Sequence, residues 1–170
     1  MSDSLIYLEI TFEKANVLKG ESTVSGFKKQ IELESFKWGM AVEEVRDEGS
    51  QRGSSGVKFE TLDLVGFFDF STTGMLTALR ERDKIVTANL SVIHAVQPKD
   101  RPKELLIIKI SDGYVEDLQI DISSGKVTQA KVNLKLSYKE IDVKYFPATR
   151  SRDDRGGSVS FNGQVRTPAG

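Results

Sequence analysis

The sequence predicts a mainly β protein, a two-sheet barrel or sandwich flanked by a single α-helix. Three observations predict it. Apolar segments of strand length recur along the chain, separated by turn signals. One of them alternates without a fault, Ala130, Val132, Leu134, Leu136 and Tyr138 against Lys131, Asn133, Lys135 and Ser137. Such a strand buries one face and wets the other. Only one segment spaces its apolar residues as a helix does.

Leu5 to Phe12 is apolar enough for a first strand. Gly20-Glu21-Ser22-Thr23 predicts a turn, with glycine supplying a positive φ and the small hydroxyls bonding nearby backbone. Gln30 to Val45 predicts the second strand, with Ile31 and Leu33 on one face. Phe36, Trp38 and Met40 continue on the opposite parity, which predicts a bulge near Ser35. Gly39 follows the only tryptophan as a stop. Arg46 to Gly56 has three glycines, three serines and no apolar residue, and predicts an exposed, flexible loop.

Val57 to Phe70 resumes apolar character and ends in Phe67, Phe68 and Phe70. Ser71 is the expected helix N-cap. Met75, Leu76 and Leu79 then form the buried stripe, with Arg80, Glu81 and Arg82 outside and Gly74 weakening the helix slightly. Further strands are expected at Val86–Ala95, Glu104–Ile110, Tyr114–Ile122, Gln129–Tyr138, Ile141–Tyr145 and Ser158–Val165. Turn signals separate them at Gln97–Pro102, Ser111-Asp112-Gly113 and Ser123-Ser124-Gly125. Arg150 to Gly157 is charged and glycine-rich, and is expected to be flexible. No repeat and no linker interrupts the chain, so one domain is expected over 1–170.

Composition narrows the function. A net charge of −1 argues against bulk attraction to nucleic acid or anionic membrane. The absence of cysteine removes disulfides and thiolate metal sites. The opening Met-Ser-Asp-Ser-Leu-Ile-Tyr carries an acid where a signal peptide needs positive charge, so no leader is expected. No segment approaches the roughly 20 apolar residues of a membrane span.

Candidate chemistry is sparse. His94 is the only histidine, which rules out a His–His site within one chain; its place at a strand end favours a structural role. Gly53-Ser54-Ser55-Gly56 lacks an adjacent base, and Ser124-Gly125-Lys126-Val127-Thr128 lacks the first glycine and the helix of a phosphate loop. Asp153-Asp154 and Glu43-Glu44 lack the staggered oxygen ligands of a calcium loop. Trp38 is expected in the core. No enzyme activity, cofactor or metal is expected.

Gly20-Glu21-Ser22-Thr23, a short basic link, the strand Ile31 to Trp38 and the Gly39 stop together resemble the N-terminal signature of the haemolysin-coregulated protein family, Hcp. The lone helix after an apolar strand falls where that family places its helix. Tyr138-Lys139-Glu140-Ile141-Asp142-Val143-Lys144-Tyr145, then Pro147 and Gly156-Gly157, resembles its paired-tyrosine strand and glycine turn. Departures occur at Val24-Ser25-Gly26-Phe27, at Ser71-Thr72-Thr73 in place of Ser-Pro, and at Ser158–Phe161 in place of a tryptophan-bearing strand.

The resemblance implies a subunit of hexameric rings that stack into the inner tube of the bacterial type VI secretion system. It implies as partners further copies of the chain, a VgrG-type spike protein, contractile sheath proteins and small effector cargo in the lumen. It implies residence in the bacterial cytoplasm until the tube is expelled without a signal peptide. The extended loop would reach the next ring through Arg46, Asp47, Glu48 and Arg52. Lys131, Asn133 and Lys135 would face the lumen or a subunit contact. A phage-type tail-tube subunit and a monomeric β-sandwich binding module remain open as alternatives.

Overall fold

The computed structural model describes residues 4–45, 54–94, 103–122, 130–147 and 158–165. The first half holds β1 (Ser4–Phe12), β2 (Asn16–Val17), β3 (Ile31–Lys37), β4 (Met40–Val45), β5 (Ser54–Phe59) and β6 (Leu62–Phe67), followed by helix α1 (Phe70–Glu81). The second half holds β7 (Ile85–His94), β8 (Glu104–Gly113), β9 (Val115–Asp121), β10 (Lys131–Leu136), β11 (Glu140–Tyr145) and β12 (Val159–Gln164). The protein is mainly β with one helix among the described residues, as the sequence predicts.

One antiparallel sheet runs β12-β11-β8-β7-β1-β3-β6-β10-β9, with β2 added to β1; β4 and β5 form a separate two-stranded ribbon. Inward residues from both ends of the long sheet enter one core, Ile108, Ile110 and Ile141 from one side and Val132, Leu134 and Val115 from the other. The sheet therefore curls over its own core. Its end strands β9 and β12 do not pair with each other, so it is sandwich-like and not a closed barrel. α1 packs against β9 and adds Met75 and Ala78 to the core.

Alternation holds where it was read most clearly: Val132, Leu134 and Leu136 are buried while Lys131, Asn133 and Lys135 are exposed. A second small cluster lies around Tyr7, Phe27 and Ile93, where the Tyr7 and Phe27 rings stack at 5.1 Å.

Five expectations need correction. The single strand from Gln30 to Val45 is two strands in two sheets. The register shifts between Leu33 and Ser35, near the expected bulge, and the chain leaves the sheet at Trp38-Gly39. The loop from Arg46 to Gly56 is shorter, because Ser54, Ser55 and Gly56 already pair with Val45, Glu44 and Glu43; residues 46–53 lie outside the described residues. The helix N-cap is Asp69 and not Ser71. Extended at φ −141°, Asp69 accepts the Ser71 N–H at 2.8 Å while its own N–H donates to Thr72 Oγ1 at 3.0 Å, a reciprocal capping box. Leu76 is exposed and Ala78 takes its place in the buried stripe.

The fifth correction concerns Gly20, which has no positive φ. A Cβ there would sit 2.5 Å from the Gln30 carbonyl oxygen, so glycine is required by close backbone approach. The Gly20 N–H donates to Lys29 O at 2.8 Å and the Ser22 N–H to Gln30 O at 3.1 Å. Left-handed backbone occurs further on, at Gly26 (φ 86°) and Lys29 (φ 62°).

Candidate functional site

The described residues divide the expected sites sharply. Lys131, Asn133 and Lys135 all lie on the solvent face of β10, as alternation predicts. Arg46, Asp47, Glu48 and Arg52 lie outside the described residues, between the ends of β4 and β5. His94 ends β7, and its backbone N–H donates to Lys103 O at 3.1 Å. Ser124–Thr128 and Asp153-Asp154 lie outside the described residues. Among the described residues no three His, Asp or Glu side chains gather as metal ligands.

Strand register builds a charged surface around β10 that one-strand reading did not reveal. Lys37 on β3 stands opposite Asp63 on β6, Asp63 stands opposite Lys135, and Lys135 stands opposite Asp117 on β9. The row alternates in sign across four strands. One row along, Ser35, Val65, Asn133 and Gln119 are neighbours, and the two rows line a shallow depression of about 300 Å³. Lys131 Nζ reaches Glu34 Oε2 at 3.4 Å and stands opposite Asp121. Opposite charges in cross-strand contact contribute about 0.2–1 kcal/mol each, so the pattern shapes the surface more than it stabilises the fold. The partners Glu34, Lys37, Asp63 and Asp117 were missed because each strand's alternation is readable alone, whereas the register that joins them is long-range.

A second feature anchors the ribbon. Trp38 precedes β4 and Glu60 follows β5, and both meet Tyr138 between β10 and β11. The Trp38 Nε1–H donates to the Tyr138 hydroxyl at 2.5 Å, which donates to the Glu60 carbonyl at 2.6 Å. The Glu60 N–H donates to Gly39 O at 3.1 Å, closing the ribbon's base. Trp38 is only partly buried against the core, and its ring lies 6.4 Å from Phe161. The expected core residue is thus also a clamp.

Burial pushes the Tyr138 phenol above its ordinary 10.0; the Trp38 bond opposes this and Glu60 adds to it. Tyr7 is also raised, by burial first and then by Glu32. A phenol that titrates later in the folded chain makes the unfolded chain shed protons first, so stability falls as pH rises above about 10. Tyr138→Phe is expected to lower unfolding free energy by about 1–3 kcal/mol near neutral pH, because Trp38 Nε1 and Glu60 O lose a shared partner. It should also flatten the alkaline fall. Urea denaturation from pH 8 to 11 checks both; an unchanged midpoint would show that the clamp contributes nothing.

A curled antiparallel sheet, one helix against β9 and a separate two-stranded ribbon define a β-rich, sandwich-like class of protein. The family model described as type VI secretion system effector, Hcp, matches residues 7–145. The chain belongs to the Hcp family of the type VI secretion system. A search of curated protein sequences returns no match.

Solved structures agree over nearly the whole length. Hcp1 from Salmonella typhimurium is similar with a TM-score of 0.74 and 21% identity, covering 96% of this chain and 95% of that one. A type VI secretion system effector from Yersinia pestis gives 0.67 and 16%, covering 96% and 100%. The secreted protein Hcp3 from Pseudomonas aeruginosa gives 0.67 and 12%, covering 97% and 100%. At these identities the likeness carries the fold.

Proposed function

We propose that this chain is a tube subunit of a type VI secretion apparatus. It closes into homohexameric rings, the rings stack, and the tube is expelled with small effectors in its lumen. The family match over residues 7–145 carries the reading. The open sheet supports it, since the end strands β9 and β12, whose outer edges are unpaired among the described residues, invite aggregation unless covered. Further copies of the chain, a VgrG-type spike, sheath proteins and effector cargo are the partners this reading requires.

The charged face around β10 suits the lumen. Interface cores are depleted in charged residues, whereas this face carries Lys37, Asp63, Lys135 and Asp117 in one row. Its charges compensate one another, which fits a wet channel wall that passes varied cargo. Arg46, Asp47, Glu48 and Arg52, which fall between β4 and β5 in the chain, would meet the next ring. Exposed pairs give only about 0–1 kcal/mol each, but six copies act together.

Native mass of the purified protein tests the ring. A discrete species at six times the chain mass is expected, and a stable monomer at all concentrations would overturn the reading. Charge reversal with Lys131→Glu and Lys135→Glu tests the lumen. The hexamer should persist while retention of cargo falls severalfold, and unchanged retention would remove the face from the lumen.

A further inference from the structure

The chain has no cysteine and three methionines, so a thioether is its most readily oxidised group. The fold places two of these methionines in opposite surroundings. Met75, on α1, is 1% exposed and sits in the core. Met40, the first residue of β4, is 41% exposed. Met1 lies outside the described residues.

Met40 also belongs to a seat that joins two parts of the fold. It pairs with Phe59 across the ribbon, and the two line a groove of about 730 Å³ with Val57, Phe161 and Val165. The groove runs between the ribbon and β12. A Cβ on Gly163 would lie 2.7 Å from the Phe59 ring, so that ring rests on the one β12 residue without a side chain. Directly opposed cross-strand residues project to the same face, which puts the Met40 thioether beside Phe59 over β12. Thioether sulfur packs favourably against aromatic rings, and Phe161 lines the same groove. A two-stranded ribbon is at best marginally stable alone, so it depends on this apolar seat as well as on the Trp38–Tyr138–Glu60 clamp.

We propose that Met40 is a reversible oxidation site, at which a peroxide converts the thioether to the sulfoxide and unseats the β4–β5 ribbon from β12. The sulfur lone pair takes one oxygen from hydrogen peroxide; the O–O bond breaks, the S–O bond forms, and water leaves. The sulfur gives up two electrons, and the same two reduce the peroxide. The product is polar and chiral where the thioether was flexible and apolar. An unbonded polar oxygen against Phe59 and Phe161 is costly. The sulfoxide is therefore drawn toward water or toward the groove's polar residues, Lys58, Asn162 and Gln164, and either move breaks the apolar seat. The event is local, since the β1–β7 and β7–β8 ladders do not involve Met40. Because the site is exposed, methionine sulfoxide reductases can reach and reverse it. The inference goes beyond the tube reading and stands without it.

Peptide mass spectrometry of the full chain after treatment with hydrogen peroxide tests the site. Met40 is expected to gain one oxygen about tenfold faster than Met75, as susceptibility follows exposure. Amide exchange tests the unseating. In the oxidised chain, exchange should speed up severalfold in Met40–Val45 and Ser54–Phe59 while β1 and β7 keep their protection. Treatment with a sulfoxide reductase should restore the slow rates. Met40→Leu nearly conserves the volume and the apolar character of the side chain. This variant should keep the slow ribbon exchange of the untreated wild type and show no response to peroxide, which separates Met40 from Met1. Equal oxidation rates at Met40 and Met75 overturn the site. Oxidised Met40 with unchanged ribbon exchange overturns the unseating, as does a Met40→Leu chain whose ribbon still loosens under peroxide.

Discussion

Gly113→Ala is expected to lower stability by at least about 3 kcal/mol, at or beyond the upper end of overpacking penalties. A Cβ on Gly113 would fall 1.7 Å from the Ser137 carbonyl oxygen and 2.6 Å from its carbonyl carbon. The obstruction is backbone on a second turn, so no rotamer relieves it. That turn cannot retreat freely, because the Ser137 N–H donates to Tyr114 O at 2.9 Å and the Tyr114 N–H donates to Ser137 Oγ at 3.2 Å. The β8–β9 and β10–β11 connections are thus locked together, and Tyr138 with its clamp follows directly. Against a total stability of about 5–15 kcal/mol, the loss should shift the urea midpoint severely or abolish folding. Gly56→Ala is the control, since nothing lies within 4 Å of its added Cβ, and it should be close to neutral. A Gly113→Ala midpoint near wild type would overturn the packing argument.

Gly113 also illustrates which information was legible in the sequence. Ser111-Asp112-Gly113 reads as a turn, and the structure gives β8 ending at Gly113 with Asp112 left-handed at φ 55°. What the sequence does not display is the approach of Ser137, residues away in the chain but in contact through the fold. Gly20 repeats the point, read as a source of positive φ but required by the backbone at Gln30 and Ile31. Gly74, read as a weakness in the helix, meets Leu18, whose Cδ2 would be 2.8 Å from an added Cβ.

The functional surface divides in the same way. Period-2 alternation placed Lys131, Asn133 and Lys135 on the wet face, because burial of Val132, Leu134 and Leu136 fixes their direction. The opposing Asp63 and Asp117 sit on strands whose pairing order jumps along the chain, β6-β10-β9, and local pattern carries no such order. The helix cap failed for a local reason. Asp69 and Ser71 are both good caps, and the choice between them was decided by which residue left the strand in an extended conformation.

Trp38→Ala is expected to cost about 3 kcal/mol, at the low end for large-to-small aromatic truncation because Trp38 is only partly buried. Its distinctive effect should be uneven. The loss removes the donor to Tyr138 and the aromatic neighbour of Phe161, both at the base of the β4–β5 ribbon. The long sheet keeps its ladders at β1–β7 and β7–β8. Amide exchange should therefore speed up most in Met40–Val45 and Ser54–Phe59, while β1 and β7 stay protected, as local opening of a weakly held unit requires. Equal loss of protection across ribbon and sheet would mean that the two form one cooperative unit. The Trp38–Tyr138–Glu60 clamp would then be ordinary core packing.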